Sequence, residues 1–244
     1  MRAAVLAILS TLSGCGGGVS PSQPATADAG AAPPASAPVG PAAESASLPP
    51  AAPGLQGRDG ELINPDSSTV VLLYYDLAEI APPIQQWLDD DMRVRMAPAS
   101  EKPAARDFVR RELEAGIAGV HEVGTIRLSM HANLSDYDAT YEEFTVRALA
   151  PSSVVEFKAF GQNVGLKFGN ARAAQTWRVP AKEAQAVRDR IGFPSDVSVD
   201  ALLQIRDVHA APEGGTITVH VIEYELRENR GGTLLGRVQL GSQR

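Results

Sequence analysis

The chain has 244 residues, of which 29 are acidic and 22 are Lys or Arg; its formal net charge is −7 at pH 7, and no basic stripe runs through it. That balance argues against nucleic acid as a partner and against adhesion to anionic headgroups by charge alone. Cys15 is the single cysteine, so no internal disulfide can form, and no apolar run reaches the roughly twenty residues of a membrane-spanning helix.

At the N-terminus, Arg2 precedes a short apolar run over residues 3–12, which ends in Leu12-Ser13-Gly14-Cys15. A charge, a short apolar stretch and small residues, in that order, read as an export signal that is removed. Leu-Ser-Gly-Cys resembles the lipobox of bacterial lipoproteins. The resemblance implies that residues 1–14 are the signal peptide, that a diacylglycerol joins the Cys15 sulfur, and that Cys15 becomes the acylated mature N-terminus. At about 0.8 kcal/mol per buried methylene, one acyl chain holds only reversibly, whereas two or three anchor stably. Gly16 rather than an aspartate follows the cysteine. The expected location is therefore the bacterial cell envelope, with the anchor in the outer membrane and the protein facing the periplasm.

From residue 16 to about 60 the composition shifts to Ala, Pro, Gly and Ser, with Pro33-Pro34 and Pro49-Pro50 and almost no large apolar side chain. Such a segment cannot bury enough apolar surface to offset its ordering entropy, so residues 15–60 are expected to be a disordered tether behind the lipidated cysteine. Residues 61–244, about 184 in number, are enough for one hydrophobic core.

Within that domain, residues 69–75 (TVVLLYY) form a β-branched and aromatic run suited to a buried strand or the start of a helix. After Pro82-Pro83, Ile84, Trp87, Leu88 and Met92 fall on one helical face. Phe108, Val109, Leu113 and Ile117 repeat the pattern in a second helix, which Gly116 to Gly124 is expected to end. From Ile126 the period becomes two. Residues 126–134 and 144–148 read as an antiparallel pair with one wet face. Further strands are expected at 154–160, 164–168 and 175–179, then a helix over 180–191 covering the sheet, with Pro180 at its first position. A closing meander occupies 197–208, 216–227 and 233–240. In its middle strand the apolar positions switch from Ile217, Val219 and Val221 to Ile222, Tyr224 and Leu226, which predicts a bulge or a change of packing surface. The fold class is α+β: a mainly antiparallel sheet with two N-terminal helices and one further helix packed on it.

Leu134-Ser135-Asp136-Tyr137-Asp138, followed by Glu143-Phe144, resembles a family of exported bacterial domains of uncharacterised function, in which such a turn joins a strand to a Phe-led one. Trp177-Arg178-Val179-Pro180 with Ala184 is similar to that family's strand-to-helix step. The resemblance spans residues 69–240 and implies no activity.

Sites of chemistry are few. Asp136, Asp138 and Glu142, with Glu143, form an acidic loop whose oxygens suit calcium, but Tyr141 stands where an EF-hand needs glycine, and aspartates are ordinary turn formers. Tyr137 and Tyr141 are expected to pack that loop. Asp89-Asp90-Asp91 reads as a solvated acidic end of a helix, unfavourably placed against its dipole. His121, His131, His209 and His220 lack the spacing of a metal motif, and neither a nucleophile elbow nor a phosphate-cradling loop is present. No catalytic residue, metal or cofactor is expected. Two function classes remain: a non-catalytic envelope module that binds or supports another envelope protein, and a periplasm-facing hydrolase whose acids and histidines converge only in three dimensions. A small apolar ligand held between helices and sheet is a further alternative. A deep pocket pairing His with Asp or Glu would favour the hydrolase.

Overall fold

The computed structural model describes residues 53–241; the expected signal segment, Cys15 and most of the expected tether lie outside the described residues. The chain enters through a 3-10 turn, Pro53–Leu55, whose Leu55 is buried in the core. Arg58 Nη1 then donates to Asp76 Oδ2 at 2.6 Å, and Gly60–Ile63 forms strand β1. Leu55 and Arg58, which composition places in the tether, thus supply a core contact and an ion pair.

The ambiguous TVVLLYY run is helix α1, Ser67–Leu77. Asp66 caps it, its carboxylate accepting from the Thr69 N–H at 2.7 Å, and these bonds hold the Asp66 carboxyl below the usual carboxylate range. Val70 to Tyr75 and Leu77 are all buried, so the helix has no wet face and shows no amphipathic period. It lies on the sheet, and the Tyr74 hydroxyl donates to the Gly214 carbonyl at 2.6 Å.

The next expected helix is two, α2 (Ile84–Asp90) and α3 (Met92–Met96), broken at Asp91. Asp91 has extended backbone and caps α3, accepting from the Arg93 N–H at 2.8 Å; the Arg93 side-chain hydrogen bond holds its carboxyl low. The third aspartate of the run therefore sits at a helix N-terminus, where negative charge is favourable, and Asp89 pairs with Arg106. Trp87 and Leu88 are buried, whereas Met92 is exposed because the break turns α3 away from the α2 face. Helix α4, Lys102–Val120, buries Val109 and Leu113 and leaves Phe108 outside beneath the Arg93 guanidinium, 5.7 Å from the ring centroid. Gly116 and Gly119 lie inside α4 rather than ending it. A Cβ at Gly116 would stand 2.6 Å from Leu72 Cδ1, so the glycine lets α4 pack closely on α1.

The remaining strands are β2 (Val123–Asn133), β3 (Glu143–Thr145), β4 (Val154–Ala159), β5 (Gln162–Phe168), β6 (Thr176–Arg178), β7 (Asp196–Ala211), β8 (Gly214–Glu228) and β9 (Leu234–Gln239); α5 (Ala171–Ala174) and α6 (Ala181–Ile191) flank β6. The fold is mixed α/β with a large, mostly antiparallel sheet in the order β1-β2-β7-β8-β5-β4, and β9 adds to β8. Only β1/β2 and β5/β8 pair in parallel among the described strands. Six α-helices rather than three accompany it among the described residues.

The alternation in β2 is as the sequence implies, with Ile126, Leu128 and Ala132 buried and Ser129, His131 and Asn133 exposed. Its expected partner is not. β2 pairs antiparallel with β7, while β3 pairs with β6 in a separate two-stranded sheet, stacking Phe144 on Trp177 at 5.5 Å. A single bridge, Leu134 to Val146, is all that joins the two expected hairpin arms as strands. Pro180 caps α6 from outside rather than occupying its first turn.

The parity switch in β8 is a bulge: Leu202 faces Glu223 and Leu203 faces Val221, leaving Ile222 as the extra residue. The bulge keeps the apolar side chains on one surface instead of moving them to another. Val219, Val221, Tyr224 and Leu226 stand opposite Ile205, Leu203, Ala201 and Val199 of β7, and all are buried.

The far side of β8 is shared by two strands, β5 along Gly214 to Val219 and β9 along Glu223 to Arg227. Between them the Asn170 side chain completes the ladder: its Nδ2 donates to the Val221 carbonyl at 2.8 Å, and its Oδ1 accepts from the Val221 N–H at 2.9 Å. A side-chain amide carries one donor and one acceptor in the geometry of a peptide group, which lets it stand in for a missing strand residue.

Candidate functional site

The acidic loop is a turn. Asp138 Oδ1 accepts from the N–H groups of Thr140 at 2.8 Å and Tyr141 at 3.2 Å, and the Asp138 and Glu143 backbones bond each other across it. Asp136 and Glu142 are exposed, Glu142 having left-handed φ of 53°, and neither bonds Asp138 through its side chain among the described residues. No group of three or more His, Cys, Asp or Glu side chains is placed to hold a metal among the described residues. Tyr137 does pack, tilted on Phe144 at 5.1 Å with its hydroxyl donating to the Val179 carbonyl, whereas Tyr141 is exposed because the turn directs it outward.

Of the histidines, His131 and His209 are exposed on the sheet. His121, just past α4, meets the end of α1: its Nδ1 lies 2.9 Å from Asp76 Oδ1, and the other Asp76 oxygen holds Arg58. Asp76 raises the imidazole pKa, first through that hydrogen bond and then by charge. Arg58 and Asp76 are each only 13% exposed, but the imidazole is open to solvent at the surface. This is the His–carboxylate pair that chain spacing could not reveal, since 45 residues separate its members. An open depression of about 330 Å³ does lie at the end of β5, lined by Pro151, Phe168, Gly169, Asn170, Arg172 and Ala173 among others, and it contains neither His nor carboxylate.

The fourth histidine differs in kind. His220, on β8, is the one buried polar or charged side chain among the described residues, 7% exposed, and its Nδ1 has no hydrogen-bond partner. Burial first, and the nearby Arg206 cation second, push its pKa down. Arg206 Nε is likewise buried and unpartnered. Cys15, the expected lipidation residue, lies outside the described residues, and no helix among those described is long and apolar enough to cross a membrane.

Comparison with family models, curated proteins and solved structures finds no match to this chain.

Proposed function

We propose that this chain is a lipid-anchored cell-envelope protein whose domain is a non-catalytic binding or structural module, held off the outer membrane by the tether. The observation that carries the reading is the placement of the only cysteine at the end of Leu12-Ser13-Gly14-Cys15, behind one positive charge and a short apolar run. The segment that follows, poor in large apolar residues and rich in proline, supports a spacer whose extended portions rise roughly 3.1 Å per residue. Exposed apolar side chains on the domain support contact with another molecule: Phe193 is 96% exposed in the turn between α6 and β7, and Met92 and Met96 are exposed on α3. The envelope component met there is the proposed partner, alongside the bilayer that takes the acyl chains.

Fractionation of cells producing the wild-type chain and Cys15→Ser tests the anchor. The wild-type protein is expected in the membrane fraction and the variant outside it, with mass spectrometry of the wild type giving an acylated Cys15 terminus. Membrane retention of the variant, or an unmodified sulfhydryl in the native protein, overturns the reading.

A further inference from the structure

The second register shift between β7 and β8 inserts a charged residue that core packing does not require. In the β7–β8 register Gln204 faces His220, Ile205 faces Val219 and Asp207 faces Thr218, so Arg206 is the extra residue. Ile205 and Val219 point into the core, which puts Gln204, His220 and Thr218 on the opposite surface of the sheet. On the neighbouring strand Lys167 is paired with Thr218, and its side chain is exposed.

Two polar atoms of this stretch lack partners, Arg206 Nε and His220 Nδ1; both are withdrawn from water, and the Arg206 cation is near enough to act on the imidazole. Groups left in that state cost free energy that a bound acceptor would recover. Neither Arg206 nor Lys167 forms an ion pair with a carboxylate among the described residues. The acid on this stretch, Asp207, has Oδ1 turned back to its neighbour, accepting from the Val208 N–H at 2.9 Å. Gly169 crosses directly beside the imidazole. A Cβ there would stand 2.6 Å from His220 Nε2, so glycine is what lets the backbone pass this close to the ring.

We infer that this surface binds a phosphate-class oxyanion, with Arg206 and His220 as its inner donors and Thr218 and Lys167 completing the set. A guanidinium, an imidazole, a hydroxyl and an ammonium offer four kinds of donor and together more positive than negative charge; a tetrahedral oxyanion can use all of them, whereas a carboxylate accepts mainly from the guanidinium fork. The same headgroup chemistry is presented by a free phosphate or its esters and by a phospholipid. The site does not depend on acylation at Cys15.

The test uses the full chain carrying Cys15→Ser. Ring resonances of the four histidines are followed by NMR during titration with inorganic phosphate, with sodium chloride at matched ionic strength as the control. The His220 signal is expected to move saturably at millimolar phosphate and not with chloride. Arg206→Gln is expected to weaken the response by about tenfold or more, the loss of one charge-assisted contact, and Arg206→Lys less so. Co-sedimentation with phosphatidylglycerol vesicles, against phosphatidylcholine, distinguishes the source: vesicle binding that needs Arg206, without saturation by free phosphate, assigns the site to a headgroup. Circular dichroism checks each variant; if Arg206→Gln unfolds, Thr218→Val and Lys167→Gln carry the comparison. No saturable response to phosphate or vesicles, or equal responses from folded variants and parent, overturns the inference.

Discussion

Replacing Asn170 by alanine removes no apolar contact of consequence, yet it strips the Val221 N–H and C=O of their partners at once. Val221 is fully buried, at 0% exposure, so both groups lose a hydrogen bond in a place where water is excluded from the side chain. Each buried backbone group left unpaired costs about 1–3 kcal/mol. Asn170 itself is half-buried, so water can follow part of the way into the gap, and the expected loss is about 2–4 kcal/mol rather than the full sum. For a domain of this size that corresponds to a fall in Tm of roughly 4–16 °C. Urea unfolding, followed by far-ultraviolet circular dichroism and tryptophan fluorescence, gives the difference directly if the slope is unchanged. Asn170→Asp adds a diagnostic. The introduced carboxylate can still accept from the Val221 N–H but sets a negative oxygen against the Val221 carbonyl. Its folded-state pKa is therefore raised, and stability is regained as pH falls through that value, when the protonated oxygen can donate. A loss below about 0.5 kcal/mol for the alanine variant, the size of an ordinary surface change, would refute the idea that one side chain completes the ladder.

Arg58→Ala is expected to cost about 1–3 kcal/mol, because it leaves Asp76 mostly buried without its guanidinium; the residual exposure of the pair keeps the loss below that of a fully interior ion pair. By the same contact, a fragment beginning at residue 61 should unfold at lower urea than one beginning at 53, and identical midpoints would remove 53–60 from the fold. Gly214→Ala should be severely destabilising, since Gly214 has φ of 143° and an added Cβ would collide with the Asn163 backbone; a folded variant with unchanged midpoint would contradict the β5–β8 register. The His121 pKa should lie above the ordinary imidazole value of 6.5 and return towards it in Asp76→Asn, as read by NMR titration. Because the folded value is the higher one, the stabilisation is full below pH 6.5 and fades as pH rises through the folded pKa. An unshifted His121 would break the pair.

The sequence makes the strands of the large sheet easy to recognise where one face is wet: the alternation of β2 and the parity break at Ile222 both survive in the structure. Periodicity is silent where all faces are buried, which is why TVVLLYY could be read as strand or helix until the Asp66 cap and the close neighbours of α1 settle it. Pairing is also beyond local pattern. Phe144 finds Trp177 rather than an arm of β2, and β1, four residues long, carries no signal strong enough to separate it from the segment before it. Site residues fare similarly. The turn role of Asp138 follows from residue type, and the predicted meander already puts Arg206 and His220 on neighbouring strands, but the meeting of His121 with Asp76, 45 residues away, arises only when the helices are folded together.

Three strands pair with β8: β7, β5 and β9. β7 directly precedes β8, ending at Ala211 against a start at Gly214, whereas β5 ends at Phe168 and waits for its partner until β8 has been made. The β4–β5 hairpin can form early, but it joins the rest of the sheet only through a strand synthesised after it, so the two halves of the sheet unite in a single late step.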